Sequence, residues 1–379
     1  MSFIHHRRTG LWTGVIVAAL FLLDLPVSGE VRYTIERLDA GFPGATSSRA
    51  SGINNQGQVV GSVQWGSPPW PTVNQLPFIY SAGTMTTLQT PEHNRGAATA
   101  INDSGTVLGS WAWTISPPNT AFIYENGTFQ DLNFECGNPA DINNRGQAIL
   151  QEWGTFRGFL YDGSSMRELP KPPPEYGGDD GETTPWAINN HGQVVGAWGQ
   201  AMVDQGPGPM TAFLYDSDSD TAQNLPYPPP GPGGGPGAFG INDLGQIVGS
   251  GAALGHAVLW TDGQVYDLGK PADTYEASAD AINNHGQIVG MAYASGGPGY
   301  RALLWDEDRV LWNLNDLIPP DSGWNLMFAE DINDAGQIVG FGKWNGDYHA
   351  FLLNPVGVPE PHAMGLALFA AAALVRRRR

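Results

Sequence analysis

The chain of 379 residues has a single cysteine, Cys136. No intramolecular disulfide can form, so packing and hydrogen bonds must hold the fold. A buried filler thiol is the expected role of Cys136. Positive charge is scarce as well: 18 Lys and Arg stand against 37 Asp and Glu, a formal net charge of −19. That balance excludes a nucleic-acid partner, which needs clustered cations, and it suits solubility. The interior lacks long hydrophobic runs and any sustained helical periodicity, which argues against helical bundles. Motifs of common chemistry are missing too: no G-x-S-x-G elbow, H-E-x-x-H pair, C-x-x-C pair or phosphate-binding loop occurs. The histidines show no metal-ligand spacing, and His191 and His285 sit at variable turn positions where exposure explains them. No cofactor is implied, and a non-catalytic protein is expected.

What is present is repetition. INNQGQVVG, INDSGTVLG, INNRGQAIL, INNHGQVVG, INDLGQIVG, INNHGQIVG and INDAGQIVG begin at Ile53, Ile101, Ile142, Ile188, Ile241, Ile282 and Ile332. A period of 40–50 residues points to propellers or arrays. In each copy an apolar Ile ends a strand. Asn, then Asn or Asp, a variable residue and Gly make a tight reversal. A β-branched run then starts the returning strand. A third, apolar strand follows (PFIY at 77–80, AFIY at 121–124, GFLY at 158–161, AFLY at 212–215, AVLW at 257–260, ALLW at 302–305, AFLL at 350–353). A more polar fourth strand ends in Leu, as in TFQDL at 128–132 and VYDL at 265–268. Third strands apolar at nearly every position need cover on both faces. Polar fourth strands suit an exposed edge.

The fold expected is therefore all-β: a seven-bladed β-propeller of four-stranded antiparallel blades. The seventh copy lacks its own fourth strand, and Tyr33–Leu38 has the missing pattern, so closure by an N-terminal strand pairing with the last blade is expected. Residues 1–29, with Arg7 and Arg8 ahead of an apolar run and small residues at Val27-Ser28-Gly29, read as a secretory signal peptide. Residues 30–357 read as the propeller and 358–379 as a sorting tail. In that tail Val358-Pro359-Glu360-Pro361 precedes a short apolar run from Ala363 to Val375. Arg376, Arg377, Arg378 and Arg379 then form a basic stop, consistent with transient membrane anchoring.

Insertions fall between second and third strands (62–76, 110–120, 199–211, 291–301) and between fourth and next first strands (170–185, 226–239, 315–328). In an antiparallel meander both kinds emerge on one face of the disc, where variable loops carry function. Aromatics there, chiefly Trp65, Trp70, Trp111, Trp113, Tyr176, Trp198, Tyr227 and Trp324, are the candidate ligand face. Rings of this kind suit sugars or protein partners, or else they pack down onto their own loops. Asp216, Asp218 and Asp220 are a weak calcium candidate. Thr221 and Tyr227 stand where an EF-hand needs Gly and Glu, so a polar hairpin tip is the simpler expectation.

Two resemblances follow from these residues. The tail resembles the PEP-CTERM sorting signal of exported bacterial proteins, with Pro359-Glu360-Pro361 as recognition element and Arg376 to Arg379 as basic cluster. The resemblance implies an exosortase-type processing enzyme as partner. It also implies residence at the cell surface or in the polysaccharide matrix. The repeats resemble the HAF-type extracellular repeat family at His349-Ala350-Phe351-Leu352, at Asp267-Leu268 and at all seven Ile-Asn turns. The histidine of that pattern is matched only at His256 and His349, so it is no shared ligand here. The family resemblance implies architecture and address, not a reaction. The function expected is that of an exported scaffold binding extracellular polysaccharide or a surface protein. A glycan-active hydrolase or lyase is the alternative.

Overall fold

In each Ile-Asn copy the second residue decides the reversal. Its Asn donates its amide to the carbonyl four residues on and accepts from the Gly amide three residues on, as at Asn54, Gln58 and Gly57. The Gly then takes a positive φ, 73° at Gly57 and 81° at Gly286, which a Cβ disfavours. The turn joins two antiparallel strands, with Ile53 opposite Val59 and Ile282 opposite Ile288.

The computed structural model describes residues 32–66, 74–89, 95–112, 119–200, 210–226, 237–251, 255–294 and 299–356. The expected signal segment and the tail from Val358 onward lie outside the described residues. Among the described residues no helix is long and apolar enough to cross a membrane, and regular structure is strand apart from three 3-10 turns.

The strands form antiparallel meanders. One example runs Ala45–Ile53, Val59–Trp65, Asn74–Ser81, Thr84–Thr87. Fourth strands are polar and exposed, as at Thr221–Asn224, while third strands are mostly buried, as at His256–Thr261. Both match expectation. One difference is that the second and third repeats share a seven-stranded sheet. Thr128–Ile142 serves as last strand of one and first strand of the next. No Pro- or Gly-rich insertion separates the two roles there, so the chain runs on with only register shifts against Ala148–Glu152.

The last meander, Trp324–Ile332, Ile338–Trp344 and Asp347–Pro355, takes its outer strand from Tyr33–Arg37, with Ile35 opposite Leu353. The core lies between sheets. Apolar layers join each repeat to the next, for example Val248, Leu259 and Ala277 with Ile288, Leu303 and Trp305. One such layer joins the first repeat to the last: Leu38, Ala50, Ile53 and Val59 pack with Val339, Ala350 and Leu352.

The first strands share a defect. In all seven, register slips by one residue two positions before the Ile, between Ala50 and Gly52, Ala98 and Ala100, and equivalently in the rest. This is a β-bulge, which re-aims one side chain. The Gly that ends the repeat lies opposite. A Cβ at Gly61, Gly249 or Gly290 would come 2.0, 1.9 or 2.1 Å from a first-strand carbonyl oxygen. The third copy carries Leu150 here, and a second register shift follows between Leu150 and Glu152.

Candidate functional site

The seven turns converge on one mouth, a cavity of about 170 Å³ lined by the Ile, Asn and Asn or Asp of every copy. The first Asn of each copy is buried. Its Oδ1 accepts two amides of its own turn, as Asn283 does from His285 and Gln287 at 3.1 and 3.0 Å. Because the shared bond uses the backbone of the variable residue, that position tolerates Gln, Ser, Arg, His, Leu or Ala, the Ser104 hydroxyl adding a bond to Asn102 in its own copy. The Nδ2 donates to the carbonyl of the same Asn in the next copy: Asn54 to Asn102, Asn102 to Asn143, Asn143 to Asn189, Asn189 to Asn242, Asn242 to Asn283, Asn283 to Asn333, and Asn333 back to Asn54. These bonds measure 2.9–3.1 Å.

A second cycle runs outside it. Each following residue donates its amide to the side-chain oxygen of its counterpart, from Asn55 to Asp103, Asn144, Asn190, Asp243, Asn284 and Asp334, and back to Asn55. No two Asp are neighbours in this cycle, and Asn amides bond Asp103, Asp243 and Asp334. Like charges are kept apart.

Behind the mouth lies a second cavity of about 170 Å³, walled by the bulges. Asp141 and Asp331 belong to both walls. Here the copies diverge. The bulged residues are Ser51, Thr99 and Ala140, then Trp186 and Phe239, then Asp280 and Glu330. Trp186 and Phe239 meet edge to face at 4.8 Å. Arg49 bonds Glu330 at 2.8 Å.

Two carboxylates just before the Ile tie neighbouring repeats. Asp331 accepts the amides of Ile332 and, across the junction of last and first repeats, Ile53, both at 2.8 Å. Asp141 accepts those of Ile142 and Ile188 at 2.8 and 3.0 Å. Burial pushes Asp331 up to about 7 and Asp141 up to about 6, with the backbone donors opposing. Burial also pushes Asp280 up to about 7, reinforced by Glu330.

The aromatics expected on loops lie elsewhere. Trp65, Trp111, Trp198 and Trp324 are in strands, because pairing runs past the short apolar segments into the supposed insertions. Trp111 and Trp198 are buried and stack on Phe122 and Phe213 at 4.6 and 4.9 Å. Neither presents an open platform. Trp65 and Trp324 are half-buried beside Phe42 and Phe351, and Tyr176 packs against a core layer. Trp70, Trp113 and Tyr227 lie outside the described residues.

The calcium candidate does not converge. Asp216 caps Asp218 and Ser219 amides, Asp218 pairs with Arg145, and Asp220 meets Arg167 and the Tyr215 hydroxyl. His191 and His285 are exposed. Cys136 is buried, and burial pushes its thiol up to about 12. The cavity residues were missed by sequence reasoning. Their signal was present: the dipeptides SG, TA, AD, WA, FG, DA and ED before each Ile vary where the surrounding motif repeats.

Residues 78–228 match a family described as "Protein of unknown function (DUF3466)". No curated relative matches the chain. Among solved structures the chain is similar to the β-propeller domain of the Trilobed protease from Pyrococcus furiosus. Identity is 10%, coverage 82% of this chain and 94% of that one, and the TM-score 0.54. That propeller is described as having an open velcro topology. Pyrococcus horikoshii acylaminoacyl peptidase is similar at 11% identity over 84% of this chain, with TM-score 0.51. The chain spans 53% of that protein's length. YCF48 from Cyanidioschyzon merolae is similar at 10% identity over 84% of this chain and 98% of its own, with TM-score 0.50. The fold is a β-propeller.

Proposed function

We propose that the chain is an exported, non-catalytic binding scaffold, built as a closed seven-bladed propeller and displayed at a bacterial cell surface or in the extracellular matrix. The observation that carries the architecture is the pair of hydrogen-bond cycles at the mouth, each returning from the seventh copy to the first. The pairing of Tyr33–Arg37 with Asp347–Pro355 supports the same closure. A ring of this kind holds its long connections rigidly on the face opposite the Asn turns, the arrangement a binding surface needs. Polysaccharide or a surface protein is the ligand class favoured there, with Trp65 and Trp324 as half-open rings.

Export and sorting rest on the sequence of the two ends, with Pro359-Glu360-Pro361 as the element read by an exosortase-type enzyme. Replacing Pro359 and Glu360 by Ala and fractionating cells tests this. Loss of processing is expected, and unchanged processing and location would reject it. A glycan array followed by product analysis tests binding without turnover. The second reading, a glycan hydrolase or lyase, draws on the raised carboxylates of the inner cavity. Turnover abolished by Asp280→Asn would replace the first reading with it.

A further inference from the structure

The inner cavity's chemistry is graded around its circumference. Consecutive first strands present Trp186, Phe239, Asp280, Glu330, Ser51 and Thr99 at the bulge. The strands carrying Phe239 and Asp280 lie backbone against backbone: a Cβ at Gly240 would stand 2.9 Å from the Asp280 carbonyl oxygen. An aromatic sector therefore adjoins an acidic one. A wall serving only to fill space would repeat small apolar residues, as the preceding positions Ala50, Ala98, Ala238, Ala279 and Ala329 do. Carboxylates in such a lumen cost folding free energy unless they are paired.

Three of the four acids have partners. Glu330 has Arg49. Asp141 and Asp331 each hold two backbone amides. Asp280 has neither a cation nor a backbone donor among the described residues, and the buried Ser278 hydroxyl makes no hydrogen bond there. No group of three or more metal-ligating side chains is placed to hold an ion among the described residues, so a divalent metal is the poorer complement.

We infer that the inner cavity binds a small organic cation, an ammonium on an apolar body, with Asp280 as counter-charge and the Trp186–Phe239 pair as the wall against which the body packs. Ammonium over an aromatic surface with a carboxylate beside it combines cation–π attraction with charge pairing. The size fits: apolar cavities of about 150 Å³ accept benzene, and this one measures about 170 Å³. The adjoining Asn-lined mouth supplies the way in. This site is separate from any ligand of the long-loop face.

Benzylamine and its neutral counterpart benzyl alcohol, titrated calorimetrically into the full-length protein at neutral pH, test the inference. Benzylamine is expected to bind saturably at one site, with benzyl alcohol about tenfold weaker or more. Asp280→Asn should cost benzylamine about tenfold or more while leaving benzyl alcohol unchanged, and Trp186→Leu should weaken both. Asp280→Asn removes an unpaired carboxylate and retains the shape of the side chain, so lost binding in a variant that melts no lower than wild type cannot be ascribed to unfolding. Absence of saturable binding at millimolar benzylamine, equal affinity for the two probes, or indifference to Asp280→Asn overturns the proposal. Displacement of benzylamine by calcium with no effect of Trp186→Leu overturns it as well.

Discussion

The Asn that opens each turn and the bulged residue three positions before it lie on the same seven strands, yet they follow opposite rules. The turn position is Asn in every copy. The bulge position is Ser, Thr, Ala, Trp, Phe, Asp and Glu in turn. At the turn, each side chain bonds its own loop and the next copy's carbonyl, so seven copies must agree for the cycle to close. At the bulge, side chains face a lumen and bond few neighbours, so each copy is free to differ. Repetition fixes the frame, and departure from repetition supplies the chemistry.

The largest expected effect comes from the Gly that permits the bulge. In Gly249→Ala the new Cβ would stand 1.9 Å from the Gly237 oxygen, and the obstacle is backbone. Destabilisation of about 4 kcal/mol or more is expected, beyond ordinary overpacking, measured by denaturant unfolding. A loss below about 1 kcal/mol would mean that the bulge relaxes freely, as the added irregularity after Leu150 allows in the third copy.

Next comes the turn itself. Asn283→Ala removes two part-buried acceptor contacts within the loop and the buried donor to the Asn333 carbonyl. Orphaning these groups should cost about 3 kcal/mol. The same change at Asn102 should cost a similar amount: it makes the matching bonds to Ser104, Thr106 and Asn143, and a bond from the Ser104 hydroxyl stands in place of the one Asn283 gives to the Gln287 side chain. Unequal costs would show that the cycle is not energetically uniform.

A smaller effect, with a distinct pH signature, belongs to Asp280. Its folded pKa is raised to about 7, above an unfolded value of about 4. The folded state therefore holds its proton more tightly, and the group's contribution is present below pH 4 and lost as pH rises to 7. Asp280→Asn should make the fall in stability between those limits shallower, with Asp141 and Asp331 still titrating there, and gain on the order of 1–2 kcal/mol at pH 8 relative to wild type. A variant that tracks wild type from pH 4 to 8 would refute the burial of this carboxylate.

The frame was legible in sequence for a physical reason. Hairpin turns and alternating burial are local, so Ile-Asn-Asn-x-Gly and Phe-Leu-Tyr announce themselves within ten residues. The strand complementing the last repeat was legible because one copy lacked what the others had. The lumen was not, since nothing in DA at 280–281 or ED at 330–331 says that a bulge turns those carboxylates toward an axis shared by residues hundreds of positions apart. Trp111 and Trp198 misled for the converse reason. Beside Pro and Gly they resembled loop platforms, but long-range pairing drew them into strands and buried them.

Thr99 and Asn102 lie on one strand, Gly96–Ile101, and at its turn, so a pair of single substitutions there isolates the contrast most finely. Thr99 is half-buried at the cavity wall, and Asn102 is buried in the cycle. If the bulge position is free of structural duty, Thr99→Ala should change unfolding free energy by less than about 0.5 kcal/mol, against about 3 kcal/mol for Asn102→Ala. A double variant should then be additive within about 0.5 kcal/mol, since the two side chains share no partner. A cost at Thr99 approaching that at Asn102 would show that the lumen walls carry the ring as much as its turns do. The variety of the bulge residues would then be a packing solution, not a binding surface.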